Sequence, residues 1–385
     1  MSRLRWTTAG ESHGRALVGI LEGMPAGLRL EVERIDGELA RRQGGYGRGG
    51  RMRIETDRVE ILSGVRAGLT IGSPIALWLP NKDATIEKLP VPTNPRPGHA
   101  DLAGCQKFGV RDPRMVLERA SARETATRVA LASAARQLLE HFGIDVFGYV
   151  RELGGVASDD AAIEAAFARA RGDRKRARES NDLYALDKHA AEAMTRAIDA
   201  AKEAGDTLGG VFEVRAFGLP PGLGSYASGP ERLTARIGAA LFSIPAMKGV
   251  EFGLGFESAR RPGSQVHDAI AAAMNDTGSR YRRETNRAGG LEGGMTTGEP
   301  LVVRVAMKPI PTLRRGLPTV DFETLEAVTA TYQRSDVTSV PAASVVGEAM
   351  VALELASALL EKLGGDSLTQ LEQSWNAYRD AYASV

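Results

Sequence analysis

Short apolar runs separated by polar loops fill the first third of the chain and predict strands over Leu4–Thr8, Ala16–Leu21, Leu28–Val32, Val59–Leu62 and Ile75–Leu79. One helix, over about Glu33–Arg42, interrupts them. Ser121-Ala-Arg-Glu124 has the spacing of a capping box. It precedes a helical pattern of Val129, Leu131, Ala135, Leu138, Leu139 and Phe142 that stops at Gly143. Strand-forming residues return at Gly210–Phe217, Val250–Phe256 and Leu301–Met307, with helices expected near Glu231–Phe242 and Phe322–Ala330. A long apolar helix begins at about Pro341 and ends at Gly364-Gly365.

Residues 159–204 break this pattern, because Ala, Glu, Arg and Lys dominate and β-branched residues are few. They read as charged helices in a surface insertion. The basic run Arg169–Arg178 contains only Asp173 as an acid and has no interleaved aromatics for base stacking, so a solvated helix face explains it better than a nucleic-acid patch. Gly23-Met-Pro-Ala-Gly-Leu28 and Gly218-Leu-Pro-Pro-Gly-Leu223 echo one another, a weak sign of duplication. With no Pro- or Ser-rich linker between the halves, residues 1–385 are expected to form a single domain carrying the helical insertion.

Composition narrows the function classes. The 385 residues carry 49 basic against 48 acidic side chains, a net charge of +1, which argues against a scaffold that holds nucleic acid by bulk electrostatics. One cysteine, Cys105, excludes an internal disulfide framework and a cysteine-ligated zinc site, and His-x-x-x-His spacing is absent, so no metal is expected. Residues 1–15 lack the apolar core of a secretory signal, and no membrane span is expected. A cytoplasmic protein is the simplest expectation.

The candidate chemistry lies in glycine-flanked loops. Two of the five histidines, His13 in Gly-Glu-Ser-His-Gly and His99 in Arg-Pro-Gly-His-Ala-Asp101, sit where backbone can approach a ligand and an imidazole stays reachable for general acid–base work. Arg41, Arg42, Arg48, Arg51 and Arg53 share an acid-free, glycine-rich segment, which is either an anion site or a disordered basic loop. Arg111, Arg114, Arg119, Arg123 and Arg128 surround the predicted helix start at Ser121, where free amides favour an anion or a plain N-cap suffices. Asn286–Gly298 is a further glycine-rich stretch that matches neither a dinucleotide fingerprint nor a Walker loop. It precedes Lys308-Pro-Ile-Pro-Thr312, and Arg334-Ser-Asp336 adds a cation and a carboxylate ahead of the last helix.

GESHG, GGYGRGGRM, RPGHAD, LERASARETATRVA, MKGVEFG, NRAGGLEGGMTTG, MKPIPT and QRSDVTSVPAA, in this order between Gly10 and Ala343, together resemble the chorismate synthase family. The resemblance implies an α+β fold of the β-α-β sandwich type, a homotetramer and dependence on reduced FMN. Carried over motif by motif, it assigns flavin contacts to Arg119, Ala120, Ser121, Pro245, Ala246, Gly293, Lys308, Pro309, Ile310, Pro311, Thr312 and Arg334. Arg42, Arg48, Arg51 and Arg123 become candidates for the substrate's anionic groups, with NADPH also implied near Arg42 and Arg48.

The implied reaction is the anti-1,4-elimination of phosphate from 5-enolpyruvylshikimate 3-phosphate to give chorismate, the last common step of the shikimate pathway. That substrate bears a phosphate and two carboxylates, which suits a site rich in arginine. By the same resemblance His13 protonates the leaving phosphate, His99 manages the proton state of the flavin near N1, and Asp336 relays a proton near N5. Two other readings stay open on the residues alone. One is a phosphoryl transferase built on the same anion sites, disfavoured by the missing Walker and kinase motifs. The other is an Arg-Gly nucleic-acid-binding protein, disfavoured by near-neutral charge and few aromatics.

Overall fold

The computed structural model describes residues 4–49, 56–170, 173–332 and 336–385. A four-stranded antiparallel sheet is built from β1 (Arg5–Ala9), β2 (Ala16–Glu22), β3 (Glu60–Ser63) and, after the small hairpin of β4 (Val65–Arg66) and β5 (Leu69–Thr70), β6 (Ile75–Pro80), in the order β1-β2-β6-β3. In β2 and β6 alternate residues are buried, with Leu17, Leu21, Ile75, Leu77 and Leu79 fully inside, as a sheet with one covered face requires.

A second antiparallel sheet joins β7 (Asp145–Leu153), β8 (Val156–Ala157), β9 (Gly210–Phe217) and β10 (Met247–Phe252). Its fifth strand follows two short hairpins, β11 (Ile270–Ala272) with β12 (Tyr281–Arg283) and β13 (Leu291–Glu292) with β14 (Met295–Thr296). That strand is β15 (Leu301–Met307), and the order is β10-β15-β9-β7-β8.

Helices fill the space between. After α1 (Val32–Gln43), α2 (Asp101–Phe108) and α3 (Arg114–Leu117), α4 (Thr125–His141) lies on β2 and β6. The 159–204 segment forms α5 (Asp160–Arg169), α6 (Arg174–Arg178) and α7 (Lys188–Glu203), followed later by α8 (Leu233–Phe242). Then α9 (Val340–Leu363) lies on β7 and β9 and packs against α4, so one helix serves each sheet and the two helices meet. A capping box of Ser367 with Gln370 opens α10 (Leu368–Ala383).

Two glycines permit the close approach of α9 to its sheet. A Cβ on Gly347 would stand 2.2 Å from Phe212 Cε2, and one on Gly148 would stand 2.7 Å from the Ser344 carbonyl oxygen. Phe212 is fully buried and has no room to retreat. Gly347→Ala is therefore expected to lower stability by about 1–3 kcal/mol through overpacking, although alanine elsewhere gains about 1 kcal/mol in a helix interior. Gly238 in α8 faces open space, so Gly238→Ala should raise stability. Urea midpoints of the two variants should move in opposite directions.

A buried ion cluster ties the layers together. Glu348, near the middle of α9, receives Arg41 Nη2 at 2.7 Å, Arg178 Nη1 at 3.0 Å, a close ion pair from Arg136, and the Gly148 amide at 2.9 Å. These partners come from α1, α6, α4 and β7. Burial alone would raise the Glu348 carboxyl, but the three guanidiniums hold it far below the usual carboxylate range.

Several expectations need correction. Leu28–Val32 is no strand, although Leu28 and Leu30 are buried. Its one ladder contact is the bridge Arg29–Leu69, and the Leu28 amide bonds instead to Thr70 Oγ1. Phe322–Ala330 is not a helix but part of a hairpin of β16 (Pro318–Val320) and β17 (Ala327–Thr329). Asp321 Oδ1 accepts the Glu323 and Thr324 amides there, and Leu325 adopts φ of +60°. Strand β10 spans Met247–Phe252 rather than Val250–Phe256, and a 3-10 segment occupies Gly255–Arg260.

Ser121 does not form the predicted capping box. Its Oγ accepts the Arg123 amide at 3.2 Å and heads a 3-10 turn, Ala122–Glu124, while Glu124 pairs with Arg128 at 2.7 Å. The basic run is not wholly solvated, because Arg178 is fully buried and Arg174 lies 3.9 Å over the Phe217 ring. Contrary to the expectation of no span-length stretch, α9 is long and apolar enough to cross a bilayer, yet it is the buried core helix.

Candidate active site

The turn between β1 and β2 carries His13 to the N-terminal approach of α4. There the Ser12 amide donates to the Glu118 carbonyl at 3.0 Å and the His13 amide to Glu118 Oε2 at 2.9 Å. His13 Nδ1 lies 2.9 Å and 3.1 Å from the two Glu118 oxygens, and Arg114 Nη1 donates to Oε1 at 2.9 Å. Nε2 of His13 is 3.9 Å from Asp83 Oδ2. Burial pushes the Glu118 carboxyl up, but the hydrogen bonds and charge of His13, with Arg114 behind, bring it below its ordinary value. Ser121 Oγ lies 3.2 Å from Ser12 Oγ, which places this predicted contact beside the histidine turn.

Asn81, just beyond β6, links that turn to the arginines. Its amide nitrogen donates to the Glu11 and Gly14 carbonyls at 3.1 Å and 2.8 Å, and its oxygen accepts Arg123 Nε at 3.0 Å. Arg123 Nη1 also pairs with buried Asp57 at 2.6 Å. Arg42, near the end of α1, donates to Thr125 Oγ1 at 2.9 Å and to the Ala122 carbonyl at 2.7 Å. Its Nη1 is buried with no hydrogen-bond partner among the described residues. Burial and the neighbouring Arg48 and Arg123 guanidiniums hold Arg42 down to about 9. Arg48 meets Asp336 at 2.9 Å and Ser339 Oγ at 3.0 Å, and Asp336 also accepts the Gly49 amide at 2.6 Å and the Ser339 hydroxyl at 2.7 Å.

A second group surrounds His99. Its Nδ1 is 2.6 Å from Asp101 Oδ1, and Arg96 Nε donates to Asp101 Oδ2 at 2.8 Å. Against the upward push of burial, His99 and Arg96 hold Asp101 well below the usual carboxylate range. Lys308 reaches the Gly98 carbonyl, and its amide donates to Ala246 at 3.0 Å, so the 245–246 and 308 segments meet beside the His99 loop. Burial and nearby Lys248 push the Lys308 ammonium down.

Beside the Arg48–Asp336 pair lies a cleft of about 390 Å³ whose lining includes Arg48, Thr312 and Asp336. Sequence reasoning missed most of its walls, among them Lys202 at the end of α7, Arg314, Tyr332 and the acids Asp182, Asp199 and Asp206. Their chain positions gave no signal, since each lies outside every glycine-rich motif. The cleft is lined by neither His13 nor His99 among the described residues.

Other predicted contacts fall elsewhere. Arg119 is turned to the Thr8 and Gly10 carbonyls at 2.9 Å and 3.0 Å, fastening the end of β1, with Ala120 between it and Ser121. Gly293, with φ of +59°, forms the exposed turn of the β13–β14 hairpin near Tyr226, with no contact to either histidine group among the described residues. Pro309, Ile310 and Pro311 connect Lys308 to Thr312, and Ile310 accepts the Thr207 hydroxyl at 2.8 Å. Arg51 and Arg334 lie outside the described residues.

A mixed helix-and-sheet fold with this arginine cluster can be set against known proteins. The family profile for chorismate synthase matches residues 4–360. The chain belongs to the chorismate synthase family. It is 52% identical over 387 residues to a chorismate synthase of Desulforudis audaxviator, covering 97% of each chain. It is also 52% identical over 391 residues to one of Pelobacter propionicus, covering 97% of this chain and 98% of that protein. A crystal structure of chorismate synthase superposes with a TM-score of 0.81 at 44% identity and covers 99% of each chain. The reaction of chorismate synthases is the elimination of phosphate from 5-enolpyruvylshikimate 3-phosphate to give chorismate, and nothing in these likenesses favours a phosphoryl transferase or a nucleic-acid-binding protein.

Proposed function

We propose that this chorismate synthase-family chain performs the elimination with reduced FMN, holding substrate phosphate and carboxylates on Arg42, Arg48 and Arg123, joined by Arg51. The observation that carries the reading is the crowding of these cations, with Arg42 pushed down by its neighbours and its buried Nη1 unpartnered among the described residues. A bound polyanion would relieve that repulsion and complete the hydrogen bonding.

The residues present also suit a flavin phosphate and polar side chain. Lys308 is depressed beside Lys248, and the cleft adds Lys202, Arg314 and the Thr312 hydroxyl for the phosphate, with Asp182, Asp199 and Asp206 as acceptors for hydroxyls of the polar side chain. Ser121, Pro245, Ala246, Pro309, Ile310, Pro311 and Arg334 would supply the remaining contacts, and Arg119, Ala120 and Gly293 are held in the same reading. Because Gly293 stands apart within one chain, the reading includes a homotetramer in which neighbouring copies sit close to it. It also includes the β-α-β sandwich, an undivided chain of 385 residues, NADPH near Arg42 and Arg48 as reductant, and a cytoplasmic setting.

Reduced FMN, when bound, supplies electron density to the ring as phosphate departs and recovers it as the C6 hydrogen leaves. His13 donates a proton from Nε2 to the departing phosphate, because Nδ1 is engaged by Glu118. His99 is engaged through Nδ1 by Asp101, and Arg96 Nη2 lies 3.4 Å from the Nε2 that it offers for proton exchange. Asp336 holds a proton-accepting carboxylate at the wall of the cleft while Arg48 orients it.

An anaerobic assay with photoreduced FMN and 5-enolpyruvylshikimate 3-phosphate, following chorismate absorbance and free phosphate, tests the proposal. Stoichiometric chorismate and phosphate without ATP are expected. Phosphate release that needs ATP, or turnover undiminished with oxidised FMN alone, would overturn it.

A further inference from the structure

We propose that Glu118 is a positioning residue for His13: it keeps the ring's Nδ1–H on its carboxylate and so reserves Nε2 for the proton given to the departing group. The inference rests on the role of His13 proposed above and adds what sets that role. Glu118 binds the histidine twice, through the backbone amide at 2.9 Å and through Nδ1 at 2.9 Å, so both the turn and the ring orientation are fixed by one side chain. That side chain is only 2% exposed, and Arg114 Nη1 at 2.9 Å satisfies its outer oxygen. A carboxylate this enclosed must keep its donors, since an unpaired buried charge costs several kcal/mol.

The arrangement has a chemical consequence. A carboxylate on Nδ1–H selects the tautomer whose Nε2 is unprotonated when neutral. After one proton passes from Nε2 to a phosphate oxygen, the neutral ring is already in the tautomer that Glu118 accepts. Among the described residues the other charged group paired with the ring is Asp83, whose Oδ2 is 3.9 Å from Nε2, and Arg114 stands behind Glu118. The same design recurs independently at His99, where Asp101 takes Nδ1 and Arg96 clamps the carboxylate. Glu118 lies 105 residues from His13 in the chain, so no sequence motif joins them.

The test reads the tautomer directly. With five histidines in the chain, 15N-histidine spectra are tractable, and His13→Ala assigns the resonance. Across about pH 5–9, where imidazoles titrate, neutral His13 of the wild-type protein is expected to carry its proton on Nδ1. Glu118→Gln should admit the Nε2–H tautomer. Its kcat/KM at neutral pH should fall about 10–100-fold, the range for an outer-shell partner. Arg114→Gln, which keeps the carboxylate, should preserve the tautomer with a smaller loss.

A folded Glu118→Gln with the wild-type tautomer and kcat/KM overturns the proposal. Should that variant not fold, the wild-type spectrum decides, because a neutral His13 protonated on Nε2 overturns it equally. Full phosphate release by His13→Ala would instead strike the role given to His13. The two failures are told apart because the tautomer is read without substrate.

Discussion

Alanine at His13 or His99, or asparagine at Asp336, is expected to leave a folded, FMN-binding protein that releases phosphate about 10²–10⁴-fold more slowly, the usual contribution of a positioned acid or base. That corresponds to about 3–5 kcal/mol of transition-state stabilisation. For His13 the reasoning is geometric. The ring is tethered through Nδ1, its Nε2 stands free of Glu118, and the turn that carries it is linked through Asn81 to Arg123, one of the proposed phosphate ligands. Removing the imidazole deletes the proton donor without touching that link, so substrate affinity should change far less than kcat.

For Asp336 the asparagine keeps the shape facing the Gly49 amide and Ser339, but it surrenders the charge opposite Arg48. The expected signature is a drop in kcat with flavin still bound. Rapid-quench phosphate release together with flavin fluorescence titration checks all three variants, and near-normal release by any one removes that residue from the mechanism.

Glu348→Ala is expected to destabilise the fold by about 3–5 kcal/mol, the cost of breaking a buried ion pair by deleting one partner. Arg136 and Arg41 would keep Glu38, and Arg178 would keep Glu179, but each would lose the central carboxylate that now joins them. Glu348→Gln should cost less because it preserves packing and an acceptor for the Gly148 amide. The same cluster sets a pH dependence. Glu348 is held below its unfolded value, so its contribution is fully present above about pH 4–5, the unfolded glutamate range. It is lost as the pH falls further toward the depressed folded value. Urea midpoints measured from neutral to acid pH should therefore decline for the native chain, and the gap between it and Glu348→Gln should narrow.

The parts of the fold legible in the sequence were those where local pattern and tertiary packing agree. The apolar runs around Leu17 and Leu77 became β2 and β6, and the apolar stretch after Ser339 became α9. Where two local signals compete, packing decided. Ser121 and Ser367 both stand three residues before an acid or amide, yet only Ser367 closes the box, because Arg128 draws Glu124 away from the helix start. The acidic 322–330 stretch looks helical until Asp321 captures the next amides and turns the chain.

The candidate site was legible as motifs but not as a map. Arg42, Arg48 and Arg123 come together as the anion role proposed for them requires, and Asp336 joins them through Arg48. Glu118 lies within the LERASARETATRVA motif, yet nothing there tied it to His13, and Lys202 reaches the cleft from a segment that carries no motif at all.

The span of α9 makes it a ruler between chemistry and core. Asp336 lies just ahead of its first turn, whereas Glu348 is bolted in its middle. Deleting one residue between Ser339 and Glu348 would swing the carboxylate by about 100° about the axis and draw it in by about 1.5 Å. The length of that half-helix is thus as much a specification of this enzyme as the identity of any residue facing its ligands.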